Sequence, residues 1–494
     1  MLMYFFWPVY TVLMILLTVY ALHRYGLVYL WIKNVRRKSY AALPVTWPLV
    51  TVQLPFFNEA AVVSRLVNGA LALDYPQDRV EFQLLDDSTD ETTAIAARLA
   101  AEARERGFNI THYHRVDRSG FKAGALHEGL KSARGEFVAI FDADFIPRRE
   151  FLKKLVPYFA DPRAGVVQAT WAHLNCGASL LTRLQEVLTV SHFAVDQRAR
   201  SAGGRFFNFN GTCGIWRREA INDAGGWQGD TLAEDLDLSY RAQLKGWRFV
   251  YVDEILADAE LPADMQVFKK QQERWTRGTV QVACKVLAPV LTSSLPLKVK
   301  LECFLHLTNS VVYPLGLFAA VFVLPSIFWR WLSPGQDSAW DIFVFLCLSS
   351  VAFLYHLFGQ FVRHGCGAWR QVFSVAAAVV VPMGLSAHLS VAAFKGLGGK
   401  PAVFVRTPKA GTQAREKTRI RLEPISLRSA GLLASEMLLT LYFLLSAMYA
   451  YHHHYKGNAF IMMLFAVGFG YVSVLSWRCR FSREWAQSPI GAEV

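Results

Sequence analysis

Charge is scarce in this chain. Asp, Glu, Lys and Arg make up 18% of its 494 residues, against 53% hydrophobic ones. That balance excludes an ordinary soluble enzyme, in which roughly a quarter of residues are charged. Paired cysteines are also missing. The seven present (Cys176, Cys213, Cys284, Cys303, Cys347, Cys366, Cys479) are scattered with no C-x-x-C among them. This gives no support to a zinc site or a disulfide framework and fits a reducing compartment. No internal repeat and no low-complexity tract occurs, which argues against solenoids and biased linkers. The net charge of +13 invites a nucleic-acid partner. Much of the excess, however, borders apolar stretches, as in cytoplasmic loops beside a bilayer, so no nucleic acid is expected.

The apolar residues gather at the two ends. Residues 2–22 (Leu2 to Leu22) carry no charge and reach the roughly 20 residues that cross a bilayer. A signal peptide opens with a basic region and closes at a small-residue cleavage site. Here the opening is Met1-Leu2-Met3-Tyr4 and the stretch is followed by Lys33, Arg36, Arg37 and Lys38, so an uncleaved anchor is expected. After Trp275 the candidate spans are 303–329, 340–361, 372–394, 427–449 and 458–477. If all five crossed, the basic loop 395–426 would lie opposite the domain that follows the anchor. Its Lys395, Lys400, Arg406, Lys409, Arg415, Lys417, Arg419 and Arg421 belong on the cytoplasmic side. Segment 372–394, which holds Pro382, Gly384 and His388, is therefore expected to lie at the interface or re-enter. The organisation is then an anchor (1–38), a cytosolic domain (39–260), amphipathic interface helices (261–300), a membrane region (301–480) and a tail (481–494).

Between Pro48 and Tyr251 short β-rich runs alternate with helical ones. Residues 49–54, 80–85 and 137–141 read as strands, and 59–73 and 91–106 as helices. Such alternation predicts an α/β domain with a mainly parallel sheet. Ligands of open α/β sheets bind at the carboxyl ends of strands. Asp86-Asp87 and Asp142-Ala143-Asp144 both follow strands, so two strand ends converge on one site.

Each motif has a chemical reading and a plainer one. Asp142 and Asp144 are hard oxygen donors of the kind that hold Mg²⁺ or Mn²⁺ together with substrate phosphates; alone, the pair is an Asp-rich turn. Asp86 and Asp87 can accept hydrogen bonds from a nucleobase or ribose, while Asp90 is expected to cap the next helix. Lys122 precedes a helical run, where cations and free N–H groups meet nucleotide phosphate; otherwise it is a solvated lysine. Thr231-Leu232-Ala233-Glu234 reads as a capping box, which explains Glu234 and leaves Asp235 as the candidate general base. Gln271, Arg274 and Trp275 share one helix face, with Trp275 suited to stacking on sugar and Arg274 to diphosphate. The same residues also suit an interfacial helix. His452-His453-His454 is expected to be a polar connection between two spans rather than a metal site.

Together these residues resemble family 2 glycosyltransferases, in the cellulose-synthase-like branch, with the nearest likeness to the β-mannan (glucomannan 4-β-mannosyl) synthases. The likeness covers about residues 50–285. It rests on Leu85-Asp86-Asp87-Ser88-Thr89-Asp90, Gly120-Phe121-Lys122-Ala123-Gly124, Phe141-Asp142-Ala143-Asp144, Phe209-Asn210-Gly211-Thr212-Cys213-Gly214, Glu234-Asp235-Leu236-Asp237 and Gln271-Gln272-x-Arg274-Trp275. It implies a GT-A fold, a divalent metal (Mg²⁺ or Mn²⁺), a nucleotide-sugar donor and inversion at the anomeric carbon. Carried over, Asp86, Asp87, Lys122 and Asp142 hold the donor, Asp142 and Asp144 the metal, and Asp235 is the base. Gln271, Arg274 and Trp275 form the acceptor and diphosphate edge. Phe404-Val405-Arg406-Thr407-Pro408-Lys409 resembles the F-x-V-T-x-K gating loop of cellulose synthases, which makes Phe404, Thr407 and Lys409 gating-like residues. Arg406 stands for the usual Val, and Ala233 for the Thr of T-E-D.

The expected activity is transfer of a hexosyl unit from GDP-mannose or UDP-glucose to a growing β-linked polysaccharide. The alternatives are transfer of one hexose to a lipid such as ceramide or diacylglycerol, or an inactive membrane channel or scaffold. The expected partners are a nucleotide sugar, a carbohydrate or lipid acceptor and the bilayer, with room for an accessory subunit. The expected setting is a plasma, inner or Golgi membrane with the catalytic domain on the cytoplasmic side.

Overall fold

The computed structural model describes residues 2–36, 40–332, 339–399 and 427–487. Seven strands form one sheet: β1 (Val50–Phe56), β2 (Val80–Asp86), β3 (Ile110–His114), β4 (Phe137–Ile140), β5 (Ala164–His173), β6 (Gly214–Arg217) and β7 (Arg248–Ala259). Their order is β3-β2-β1-β4-β6-β5-β7. β6 is antiparallel to both neighbours and the other pairs are parallel. β1, β2 and β4 are buried along their whole length. This explains their unbroken apolar runs, because a parallel sheet is covered on both faces. Val52, Leu54, Phe82 and Phe141 pack on one face, and Leu85, Val138, Ile140 and Trp216 on the other.

Chain order reverses between β1 and β4, which is where an open α/β sheet leaves a crevice for ligands. The register fixes what faces it. Phe56 pairs with Asp86, and Gln53 with Ile140, so Asp87 and Asp142 emerge at the same edge on either side of the reversal.

Some boundaries differ from expectation. The first helix of the domain is Val63–Leu71, preceded by a turn, and the second is Thr92–Glu105. Asp90 accepts from the Thr92 N–H at 2.9 Å, a cap placed one residue early. The capping box at Thr231 is not formed. Glu234 is the first residue of the helix Glu234–Leu244, whose cap position is Ala233 with no side-chain bond. The box needs Glu at the third helical position.

Five segments among the described residues are long and apolar enough to cross a membrane: Pro8–Asn34, Asn309–Phe328, Ser349–Leu397, Ala430–His452 and Lys456–Cys479. The expected span 303–329 is interrupted, because Leu297–Leu307 is a separate helix before Val312–Leu332. Ser349–Leu397 holds parts of two helices, Ala339–His364 and Val372–Leu397, joined by a tight turn at Gly365–Gln371. His452 ends the helix Leu427–His452, and His453 and His454 form the turn to the last helix.

The domain meets these helices through Leu180–Ser191 and the long helix Met265–Thr292. Leu181, Leu184, Met265 and Phe268 share one apolar cluster with Val375, Ala378, Leu385 and Leu389. Val372–Leu397 therefore lies along the domain. A Cβ on Gly396 would stand 2.7 Å from that of Val280, and one on Gly384 2.2 Å from the Gly468 carbonyl, so both glycines permit helix contacts that a side chain would prevent. Two ion pairs fasten the long helix. Lys269 meets Glu436 at 2.5 Å with both side chains buried, and Glu273 meets Lys395 at 2.7 Å and His388 at 3.4 Å. The His388 hydrogen bond, then that of Lys395, holds Glu273 down at about 2.

Removing one partner of a buried pair costs about 3–5 kcal/mol, because the other charge is left unpaired. Glu436→Ala should therefore lower the melting temperature in detergent clearly, and the apolar double variant Lys269→Met/Glu436→Met should recover most of the loss. An unchanged melting temperature in Glu436→Ala would remove the pair from the account.

Candidate active site

A cavity of about 460 Å³ opens at the sheet's reversal point. Asp87, Lys122, Asp142, Asp144, Asp235, Gln271, Arg274 and Trp275 all line it, although they span nearly two hundred residues of sequence. Asp86 does not. It is fully buried, accepts from the Ser88 N–H at 2.8 Å and pairs with His112 at 2.9 Å. Burial works against its charge, but these bonds outweigh it and hold the carboxyl below the ordinary range. Asp86 thus shapes the loop that presents Asp87.

Asp87 is gripped by a guanidinium that the motif reading missed. Arg115 donates from Nε to Oδ1 at 2.8 Å and from Nη2 to Oδ2 at 2.7 Å, a two-point fork of the strong kind. Arg118 lies 4.0 Å from Asp87 and 3.3 Å from the centroid of the Phe57 ring. Both arginines follow β3, whose pairing with β2 places its end at the same edge. That strand end was the signal available for finding them.

Lys122 is the electrostatic centre. It is the second residue of the helix Phe121–Ser132, and its Nζ stands 2.5 Å from Asp142, 4.0 Å from Glu234 and 2.9 Å from the Gly211 carbonyl to which it donates. Burial opposes its charge, but Asp142, Glu234 and Asp235 outweigh it and raise the ammonium above the usual lysine range. Asp142 moves the other way from an ordinary carboxylate: burial, and then the neighbouring Asp144, push it up. Its backbone N–H donates to Thr212 Oγ1 at 2.9 Å. Next to Thr212, Cys213 holds φ +58°, a left-handed conformation that a non-glycine residue keeps only when its surroundings enforce it.

Asp235 is the second residue of the helix Glu234–Leu244. Burial, then Glu234, raises its carboxyl to about 7. Gly211 adopts φ +80°, and a Cβ there would come within 3.0 Å of Asp235 Oδ2, so glycine keeps the space beside this carboxylate open. The loop before it is held from the long helix. Gln281 accepts from the Leu232 N–H at 3.0 Å, Lys285 reaches Asp230 at 2.7 Å and Asp237 at 3.1 Å, and Gly278 lies against Ala233. Ala233 fits that contact, since a Cβ added at Gly278 would already be 2.8 Å from its own. The residues Phe404, Thr407 and Lys409 lie outside the described residues.

Asp142 and Asp144 are hard carboxylate donors at the cavity edge. Beyond burial, Asp144 adds negative charge beside Asp142 that a divalent cation would relieve, so the pair fits Mg²⁺ or Mn²⁺. Among the described residues no cluster of three or more His, Cys, Asp or Glu stands ready as a closed metal site.

Comparison with known proteins agrees with this geometry. Residues 48–278 match the family described as glycosyltransferase like family 2. The chain is 42% identical over 250 residues to glucomannan 4-beta-mannosyltransferase 1 of Oryza sativa subsp. japonica, covering 50% of this chain and 48% of that protein. It is 41% identical over 252 residues to glucomannan 4-beta-mannosyltransferase 9 of Arabidopsis thaliana, covering 50% and 47%. The chain thus spans about half the length of the curated relatives it matches. Among solved structures, a mannosyltransferase of Pyrobaculum calidifontis in complex with GDP-Man and Mn²⁺ aligns with a TM-score of 0.54 at 23% identity. That alignment covers 73% of this chain and 99% of the other, and the shared fold is GT-A.

Arg115→Met should leave Asp87 without its fork and weaken binding of GDP or UDP about tenfold by calorimetry, since hydrogen bonds to charged groups contribute roughly 1.5–3 kcal/mol. Unchanged nucleotide affinity would take Asp87 out of the donor site.

Proposed function

We propose that this chain, whose residues 48–278 match glycosyltransferase like family 2, moves a hexosyl unit, mannosyl first, from a nucleotide sugar to a growing β-linked polysaccharide, with inversion. The observation that carries the reading is the convergence of Asp87, Lys122, Asp142, Asp144, Asp235 and Arg274 on one cavity at the sheet's reversal point. The names of the relatives and of the solved neighbour favour mannose and GDP over glucose and UDP.

The division of labour follows from charge. Asp87, positioned by Asp86 and Arg115, meets the nucleoside. Asp142 and Asp144 would hold a divalent ion, which would supply positive charge against the diphosphate. Lys122 and Arg274 supply fixed positive charge at the developing phosphate anion. Asp235 accepts the proton of the acceptor hydroxyl as that oxygen attacks the anomeric carbon from the face opposite the leaving group. Inversion needs no second carboxylate nucleophile. Trp275 and Gln271, on the same helix face as Arg274, border the acceptor.

The setting is a membrane with the domain on the cytoplasmic side. The apolar cluster that lays Val372–Leu397 along the domain helices supports the reading of 372–394 as an interfacial, non-crossing segment. Lys395, at the start of the basic segment, meets Glu273 on the long helix, and Glu436, on the helix Leu427–His452 beyond it, meets Lys269 there. The charge of the segment favours the cytoplasmic, catalytic side.

Asp235→Asn should abolish transfer while leaving donor affinity within about twofold; parallel loss of donor binding would reject Asp235 as the base. Asp144→Ala should weaken donor binding only when Mn²⁺ is present, and unaltered metal dependence would count against its role. A base works in its deprotonated form. With Asp235 raised to about 7, kcat/KM should fall roughly tenfold per pH unit below that value. Lys122→Met removes the cation that lowers the Asp235 carboxyl and should move this limb to higher pH. A limb that Lys122→Met leaves unmoved would exclude Asp235 as the titrating base.

A further inference from the structure

Two basic residues stand inside an apolar segment. His23 and Arg24 belong to the helix Leu2–Asn34 and to the candidate span Pro8–Asn34, where an ionisable side chain is costly and is kept only with a partner. Both reach into the domain. Arg24 donates to Asp196 at 3.0 Å, and His23 meets Glu302 at 3.0 Å. The two carboxylates share a further cation, since Arg200 donates to Glu302 at 2.9 Å and lies 3.9 Å from Asp196. Because His23 and Arg24 are neighbours in the chain, the five side chains close a ring in which basic groups alternate with carboxylates. Asp196, Arg200 and Glu302 are buried in it. We propose that this ring positions the base of the transfer reaction: through it, His23 and Arg24 set the placement of the helix that carries Asp235. The proposal rests on the glycosyltransferase reading above and gives the N-terminal helix a task besides anchoring.

The route from the ring to Asp235 is short. Glu302 and His306 stand one turn apart on the helix Leu297–Leu307. His306 Nδ1 and the Tyr240 hydroxyl share a hydrogen bond of 2.7 Å. Tyr240 is fully buried and lies on the helix Glu234–Leu244, which also carries Asp235. Leu236 and Tyr240 pack in one apolar cluster with Val299, Cys303 and Leu307, so the two helices share a core. Burial works against the charge of Glu302, but Arg200 and then His23 hold its carboxyl at about 2. The carboxylate that starts the route is therefore ionised near neutral pH.

The surroundings of the ring leave it little freedom. Asp196 lies in His192–Gln197, one wide π turn between two α-helical stretches, a feature that recurs at functional sites. The Tyr355 hydroxyl donates to Asp196 at 2.5 Å, and the Arg24 guanidinium lies 5.0 Å from the centre of the same tyrosine ring. A Cβ on Gly203 would stand 2.7 Å from Leu30, and one on Gly359 2.8 Å from Ser191 Oγ. Both apolar helices thus approach the domain more closely than a side chain there would allow. An anchor needs none of this, because apolar side chains of similar volume would hold the helices together as firmly as the buried charges do. Hydrogen bonds are directional, so what the ring adds is one defined rotation and depth of the N-terminal helix against the domain.

The test uses the full chain in lipid nanodiscs with Mn²⁺, GDP-mannose as donor and a short β-1,4-linked manno-oligosaccharide as acceptor. Arg24→Met should lower kcat about tenfold or more while GDP-mannose affinity, measured by calorimetry, stays within about twofold. Arg24→Lys should recover most of the loss. Glu302→Gln, across the ring, should lower kcat similarly, and the double variant should be little slower than either single one, because contacts within one network are not additive. Independently of turnover, backbone amide exchange in Glu234–Leu244 should quicken about fivefold or more in Arg24→Met and stay unchanged in Phe121–Ser132. Tyr240→Phe removes one hydroxyl of the route, leaves the ring intact and should quicken the same amides. Full kcat in Arg24→Met and Glu302→Gln, losses that multiply in the double variant, or unaltered exchange in Glu234–Leu244 would overturn the proposal. So would a parallel loss of donor affinity, which would mark the ring as a folding element only. If the wild-type protein transfers mannose and the ring variants do so equally well, the ring loses its task while the glycosyltransferase reading stands. If the amides respond but the wild-type protein binds GDP-mannose and transfers it to nothing, the parent reading fails, and the ring's part in transfer fails with it.

Discussion

One ammonium holds this site together. Lys122 faces Asp142 and Glu234 directly and carries the field of Asp235, three carboxylates that would repel one another without it. Because the pair at Asp142 and the bond to the Gly211 carbonyl are short, the helix Phe121–Ser132, the end of β4 and the loop before β6 are locked in one arrangement. The same cation leaves the negative charge incompletely balanced. Asp142 stays raised despite its presence, and so does Asp235. The first condition suits a divalent ion with a diphosphate, and the second suits a base that works near neutral pH.

The second constraint is mechanical. The helix Met265–Thr292 contributes Gln271, Arg274 and Trp275 to the cavity wall, grips the Asp235 loop through Gly278, Gln281 and Lys285, and is itself pinned to the apolar helices by Lys269 and Glu273. Motion of the apolar helices relative to the domain would reach Asp235 through this one helix.

Much of this was legible in the sequence, for physical reasons. Strands buried on both faces must be continuous apolar runs, so β1, β2 and β4 announced themselves, and the acidic residues after β2 and β4 marked the ligand edge. Helix geometry put Gln271, Arg274 and Trp275 on one face, and all three line the cavity. Other features depend on contacts between distant segments. Arg115 acts on Asp87 only because β3 pairs with β2, and Asp86 withdraws from the site because His112, on that same strand, reaches it. The capping box at Thr231 failed because the Gln281 and Lys285 contacts shape the loop and the helix begins at Glu234. Trp171, His192 and His306, which also line the cavity, belong to no linear motif: they come from a strand, a π turn and a separate helix, and only the fold assembles them.

The most direct test of the central claim is product analysis. Purified protein in lipid vesicles with Mn²⁺ would be offered GDP-mannose and UDP-glucose separately, and the products sized and digested with linkage-specific hydrolases. The account predicts a long β-linked mannan from GDP-mannose that grows with time and requires the intact cavity. A single hexose recovered on extracted lipid, or turnover of neither donor by protein that still binds nucleotide, would contradict it.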